Sequence, residues 1–295
     1  MRGVSNRGRF NFTPGGKEMN YLGLENLIKR ALEEDIGHGD ITTANLIPRE
    51  QQAAGIFYAK SPGIVAGIDV CRAVFNYLDP DIGFEVKRGD GDLIEPGDTI
   101  AVVSGRAASI LTGERVALNF LQRLSGIASK TRAMAESIKY YKAELVDTRK
   151  TTPGLRVLEK YAVKIGGARN HRFGLYDGVM IKDNHIKIIG SIQKAVSTIR
   201  SRIPHTVKIE LEVETLEQLQ EALDSRVDII LLDNMDIEKM KRAVDIANGR
   251  ALLEASGGIN EDNIVEVAKT GVDFISVGAL THSVKSLDIS LEICK

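Results

Sequence analysis

Apolar positions near the start of the chain recur at helical spacing. Leu24, Leu27, Ile28 and Leu32 share one face, with Glu25, Lys29, Glu33 and Glu34 elsewhere. The segment Asp35-Ile36-Gly37-His38-Gly39-Asp40-Ile41-Thr42-Thr43 breaks that pattern with two glycines. Strand-like runs follow at Ala54–Ala59 and Gly63–Ala66, then a helix over Asp69–Tyr77 with Asp69 as its N-cap. Phe84–Lys87 and Thr99–Ser104 read as strands, separated by the turn-rich Gly89–Asp92 and Glu95-Pro96-Gly97-Asp98. Ile110, Leu111, Leu118, Leu121 and Leu124 predict a long amphipathic helix to about Gly126, with a further helix over Thr131–Tyr141.

The second half has another rhythm. Apolar strand-like runs recur at Ala143–Val146, Gly178–Ile181, Val207–Val213, Asp228–Leu232, Ala251–Leu253 and Phe274–Val277. Helical patterns at Gln193–Ser201, Leu216–Leu223, Ile237–Ala247 and Asn263–Lys269 lie between them. Such βα repetition implies parallel strands. Six of them suit an incomplete α/β barrel, with a doubly wound sheet as the alternative. No G-x-G-x-x-G follows a strand, which disfavours a dinucleotide crevice.

Composition narrows the partners. The 295 residues exceed one average domain of roughly 100–200 residues, so one large domain or two are expected. With 39 Lys+Arg against 40 Asp+Glu, the formal charge is −1. That balance argues against nucleic acid or a membrane surface as partner, but leaves room for a small basic pocket. No run of about 18 apolar residues predicts a transmembrane helix. Cys71 and Cys294 cannot build a disulfide framework and fit a cytoplasmic location. Residues 1–18 hold Arg2, Arg7, Arg9 and Lys17 among four glycines, without the apolar core of a signal peptide. They are expected to be a disordered extension.

Each barrel strand is followed at once by polar side chains. These are Asp147-Thr148-Arg149-Lys150, then Lys182-Asp183-Asn184-His185, then Glu210, Glu212 and Glu214 along the third strand. Asp233-Asn234, then Glu254 with Ser256-Gly257-Gly258, and finally Gly278-Ala279 complete the set. Carboxyl ends of barrel strands converge on one rim, so an active site is expected there. Ser256-Gly257-Gly258-Ile259-Asn260 leads from strand towards helix, and glycines there admit close approach of an anion. Together with Gly278-Ala279 it suggests a phosphate site, although tight turns alone would look similar. Arg149, Lys150, His171, Arg172 and Lys182 form a candidate cationic cluster, which needs anions to offset its self-repulsion. The three glutamates of Val207–Glu214 alternate with Ile209, Leu211 and Val213, so they share a face that should point into the barrel. Glu212 and Asp233 suit either Mg²⁺, through water, or sugar hydroxyls. Without H-E-x-x-H or C-x-x-C, zinc is not expected. His205 reads as a solvated loop residue, His282 follows the second glycine turn, and His38 has no assignable role.

Three motifs carry a family resemblance: Thr148-Arg149-Lys150-Thr151-Thr152-Pro153-Gly154-Leu155-Arg156, Gly166-Gly167-Ala168-Arg169-Asn170-His171-Arg172 and Ile181-Lys182-Asp183-Asn184-His185. With Gly39-Asp40-Ile41-Thr42, Glu114-Arg115, Leu231-Leu232-Asp233-Asn234 and Val277-Gly278-Ala279-Leu280-Thr281-His282, the chain resembles the quinolinate phosphoribosyltransferases from about Leu24 to Ile293.

The resemblance implies an N-terminal α/β sandwich (residues 19–125 plus 283–295) and an open, incomplete TIM-like α/β barrel (126–282). It implies transfer of phosphoribose from phosphoribosyl pyrophosphate to quinolinate with decarboxylation, in NAD biosynthesis, with Mg²⁺ as cofactor. Lys150, Lys182, Glu212 and Asp233 would be catalytic. Arg115, Thr148, Arg149, His171 and Arg172 would join them in binding substrates, and Ser256, Gly257, Gly258, Gly278 and Ala279 would hold phosphate. Glu212 and Asp233 would reach the metal through water or pyrophosphate. A homodimer, or a hexamer of dimers, would supply Arg115 to the neighbouring site. A nicotinate-specific relative, a molybdenum-associated homologue and an inactive binding protein on the same fold are the competing expectations.

Overall fold

The computed structural model describes residues 23–294. The extension expected over residues 1–18 lies outside the described residues. The first elements are α1 (Leu24–Ile36), α2 (Ile41–Leu46), β1 (Gln52–Ala59), β2 (Gly63–Ile64), α3 (Ile68–Leu78), β3 (Gly83–Val86), β4 (Leu93–Ile94) and β5 (Thr99–Arg106). Leu24, Ile28 and Leu32 are buried, as the spacing on α1 predicts. Helix α2 was not anticipated among the glycines. Asp40 caps it by accepting the Thr43 N–H at 2.9 Å.

Two expectations need correction. Asp69 is not the N-cap of α3. That place belongs to Gly67 at φ 90°, and the Gly67 and Ile68 N–H groups both donate to Asp90, 23 and 22 residues away. The two helices expected on either side of Gly126 are one, α4 (Ala107–Ile138). Gly126 does not break it. A Cβ there would stand 2.3 Å from the Lys285 carbonyl, so the glycine serves a close crossing of two backbones.

The remaining elements are β6 (Glu144–Val146), α5 (Arg156–Gly166), β7 (Val179–Ile181), α6 (Asp183–Ile189), α7 (Ile192–Arg200), β8 (Ile209–Val213), α8 (Leu216–Asp224) and β9 (Ile229–Asp233). After them come α9 (Ile237–Ala247), β10 (Leu252–Ser256), α10 (Ile264–Ala268), β11 (Phe274–Ser276), α11 (Ala279–His282) and β12 (Ile289–Cys294). An antiparallel sheet runs β12-β1-β5-β3, and β2 pairs with β4. Phe57, Phe75 and Phe84 pack beside that sheet with ring centroids 6.0–6.1 Å apart.

The parallel sheet runs β6-β11-β10-β9-β8-β7. Strands β7 to β11 follow in chain order without reversal, which is barrel winding and not a doubly wound sheet. β6 and β7 do not pair, so the barrel is open. A lone parallel bridge between Val146 and Arg169 lays the start of the 169–172 segment along one open edge.

Candidate active site

The carboxyl ends of the barrel strands enclose a cavity of about 210 Å³. Thr148, Arg149, Lys150, His171, Arg172, Lys182, Glu212, Asp233 and Ser256 line it. Sequence spacing alone separates these groups by up to about a hundred residues; the barrel brings them to one rim. Among the described residues, Arg149, Lys150 and Arg172 make no ion pair. Burial first, and the charge of Arg149 second, hold Arg172 below its usual basicity. Cations packed this way attract an anion of carboxylate or phosphate type.

Lys182 contacts Glu212. Asp233 accepts the Asn234 amide at 2.8 Å. The inward face of β8 is graded: Glu210 is buried, Glu212 half-buried and Glu214 exposed. Ile209, Leu211 and Val213 pack on the other side, 0–1% exposed. The expected inward acidic face is therefore present.

The glycine turns differ from each other. Gly257 and Gly258 have φ of 96° and 63°, and a Cβ on Gly257 would strike Asn234. The expected direct entry into a helix is corrected: β10 ends at Ser256 and α10 starts only at Ile264, so a loop that includes Gly257 and Gly258 lies between them. Gly278 does precede a helix, the one-turn α11. A Cβ on Gly278 would meet the Lys150 and His282 side chains at 3.0 Å. His282 therefore lies beside Lys150, while His205 is exposed. Ala279 follows Gly278 at this turn. Arg115 is exposed on α4 and does not line the cavity of its own chain.

His171 is engaged at both nitrogens. Its Nδ1 accepts the Arg172 N–H at 2.7 Å, and Nε2 lies 3.1 Å from Glu210. Burial disfavours a charged ring, Glu210 and Glu254 favour it, and the net direction is upward. In this arrangement the ring braces the cavity wall and does not point a free nitrogen at a ligand.

Sequence reasoning missed the supports beneath the rim. Lys160, wholly buried on α5, contacts the equally buried Asp147 and donates to the His171 carbonyl at 2.9 Å. Asp147 also accepts the His171 N–H at 2.8 Å and the Asn170 amide at 2.7 Å. One ion pair thus ties α5 to both cationic segments. Arg156 binds the carbonyls of Arg149 and Phe173 at 3.3 and 2.9 Å. Glu159 accepts from Arg123 and from the Thr152 N–H at 3.1 Å. Charged residues inside an apolar helix pattern, as at Glu159-Lys160, were the available signal.

An open parallel barrel with cations, inward carboxylates and a glycine turn at its rim has the place and the charge of an enzyme site for an anion. The N-terminal domain pattern of quinolinate phosphoribosyl transferase matches residues 40–125, and its C-terminal domain pattern matches 127–292. The chain belongs to the quinolinate phosphoribosyl transferase family. It is 46% identical to a probable nicotinate-nucleotide pyrophosphorylase [carboxylating] of Bacillus subtilis, over 93% of this chain and 95% of that protein. The chloroplastic nicotinate-nucleotide pyrophosphorylase [carboxylating] of Arabidopsis thaliana is 44% identical, over 92% and 82%. The crystal structure of NadC from Streptococcus pyogenes superposes with a TM-score of 0.88 at 43% identity, over 92% of this chain and 97% of that one.

Proposed function

We propose that this enzyme transfers phosphoribose from phosphoribosyl pyrophosphate to quinolinate and releases CO₂, pyrophosphate and nicotinate mononucleotide. The observation that carries this reading is the cavity that gathers Arg149, Lys150 and Arg172 without carboxylate partners. Quinolinate brings two carboxylates and its co-substrate several phosphate charges, which together answer that excess. Arg149 and Arg172 hold the dicarboxylate, and Thr148 lines the same wall. Lys150, beside the Gly278 turn, holds phosphate with Ala279. Ser256, Gly257 and Gly258 form the other phosphate-facing loop. His171 acts here by bracing Arg172 and not by direct contact.

The pyridine nitrogen attacks the anomeric carbon as pyrophosphate leaves, through a transition state of oxocarbenium character. Lys150 and Lys182 offset charge on the departing group. Glu212 and Asp233 face the ribose. Once ribosylated, the ring nitrogen is cationic and takes up the electron pair left when the neighbouring carboxylate departs as CO₂. Glu212 and Asp233 offer only oxygen donors, the set a hard cation takes, so they fit Mg²⁺ held through water or pyrophosphate. When bound, Mg²⁺ supplies further positive charge to the leaving group.

The test is release of labelled CO₂ from carboxyl-labelled quinolinate with phosphoribosyl pyrophosphate and Mg²⁺. Protein that releases none overturns the reading.

A homodimer, alone or within a hexamer, is part of the same proposal. The exposed Arg115 then reaches the neighbour's cavity. Arg115→Ala and Arg149→Ala should each be inactive and should regain part of the activity when co-assembled; verified mixed dimers without recovery would remove the shared site. No described helix is long and apolar enough to cross a membrane. The two free thiols, Cys71 and Cys294, support a cytoplasmic setting.

A further inference from the structure

We propose that Glu254 contacts the substrate as a neutral carboxylic acid, donating its O–H to a carboxylate of the bound pyridine dicarboxylate. The inference rests on the quinolinate reading above and adds a specificity residue that carries no positive charge.

Glu254 lies on the inward face of β10, 3% exposed. It lines the rim cavity. It also lines a second cavity of about 430 Å³ that reaches the first residues of β7, β9 and β11, namely Val179, Ile229 and Phe274. His171, Arg172 and Glu254 are shared by both, so Glu254 is part of the wall between them. Its Oε1 is buried without a hydrogen-bond partner. Its Oε2 lies 3.6 Å from the His171 Nε2, beyond hydrogen-bond reach.

The surroundings decide its protonation. The groups around Glu254 include His171 and Arg172 from the segment after α5, Glu210 from β8, Asp147 after β6 and Ser276 from β11. Asp147 is matched by Lys160. Because His171 Nδ1 accepts the Arg172 N–H, the ring proton sits on Nε2, and its nearer carboxylate is Glu210 at 3.1 Å. That proton also argues against reading His171, Glu210 and Glu254 as a metal site, since Nε2 has no lone pair to give.

Two buried carboxylates therefore face one N–H, and Glu254 is the one left out. A buried carboxylate with one oxygen unpartnered is expensive, and taking up a proton removes the charge. Burial first and the neighbouring Glu210 second outweigh His171 and the Ser276 hydroxyl, which favour the charged form, and push Glu254 up to about 7.

An ionised Glu254 would repel a dianion entering this cavity. The acid form instead adds a directional donor, as buried neutral carboxylic acids do in other active sites. Arg149 and Arg172 supply attraction; Glu254 supplies geometry and excludes ligands lacking an acceptor at that point.

Quinolinate KM should rise as pH climbs through about 7, where Glu254 ionises. Glu254→Gln keeps a donor at every pH and should abolish that rise. Glu254→Leu removes the donor and should raise quinolinate KM about tenfold below pH 7, with the gap to wild type closing as Glu254 ionises at higher pH. A Glu254→Gln enzyme with the wild-type pH dependence, or a Glu254→Leu enzyme with the wild-type KM below pH 7, overturns the proposal. Infrared difference spectra read the same group without turnover. Wild-type protein at mildly acidic pH should show a protonated-carboxyl stretch that is absent in Glu254→Gln and shifts when quinolinate is added. A missing or unresponsive band overturns the proposal even if the Leu variant does not fold. A chain that binds quinolinate with the shift but releases no CO₂ would refute the catalytic reading and leave this one standing.

Discussion

Around the antiparallel sheet the large, fully buried side chains include Phe57, Phe75, Ile94 and Ile100, whereas around the parallel sheet Asp147, Glu159, Lys160, Glu210 and Glu254 are buried. Apolar burial stabilises in proportion to area and needs no directional partner. Buried charge stabilises only when every lone pair and proton is answered, and it then fixes orientation. The first half of the chain is packed for cohesion. The second half accepts costly groups because they hold Arg149, His171 and Arg172 in place. Asp79 is a buried carboxylate of the first half, and it clips Arg106 and Ser109 at 2.7 and 3.0 Å.

The largest effect that tests this contrast is at the rim. Lys150→Ala should lower turnover at least about 100-fold while the melting temperature stays put, because the side chain is exposed and charge stabilisation at reacting groups has that scale. Parallel loss of stability and activity would count against a purely functional lysine. A paired experiment compares the two interiors. Phe75→Ala should cost about 3–5 kcal/mol of stability, with kcat per folded molecule unchanged. Lys160→Met should cost a comparable 3–5 kcal/mol or so by stranding Asp147, and should also raise quinolinate KM. Denaturant titration with kinetics on the same samples separates them; an activity defect in folded Phe75→Ala would erase the contrast.

The smallest effect concerns Asp79. Arg106 holds its carboxyl at about 2, below the ordinary 3.8, with help from the Asp81 N–H and Ser109. A lowered folded value means the stabilisation is present above about 4 and disappears as pH falls towards 2. Arg106 is exposed, so solvent screens the pair and the effect is small. Acid unfolding of Arg106→Met should be flatter across that window; an unchanged slope would show that Asp79 owes its state to other groups.

How far the sequence could be read follows the same division. All six barrel strands are found within two residues of their predicted starts, from Glu144–Val146 to Phe274–Ser276, because each is an apolar run or, as in β8, alternates apolar and polar residues at the strand period. Helix α5 was missed, since Glu159 and Lys160 interrupt its apolar face for reasons only the tertiary ion pairs reveal. The break assumed at Gly126 and the cap assigned to Asp69 failed because both depend on distant partners, the Lys285–Leu287 strand of chain and Asp90. The rim residues were legible as strand-end chemistry. Glu254 and Asp147 were visible as polar strand ends too, but their burial and partners were not.

The pairing of β12 with β1 has a consequence for synthesis. Ala59 lies opposite Ile289, 230 residues further along the chain. At roughly 5–20 residues per second, a ribosome needs on the order of 10 s or more to deliver that partner. Until then the outer edge of β1 is an open template beside a finished hydrophobic face. Gly55 on that strand lets Leu291 and Ile293 close in. The first sheet to emerge is therefore the last to be sealed, and its edge is where a chaperone has most to protect during translation.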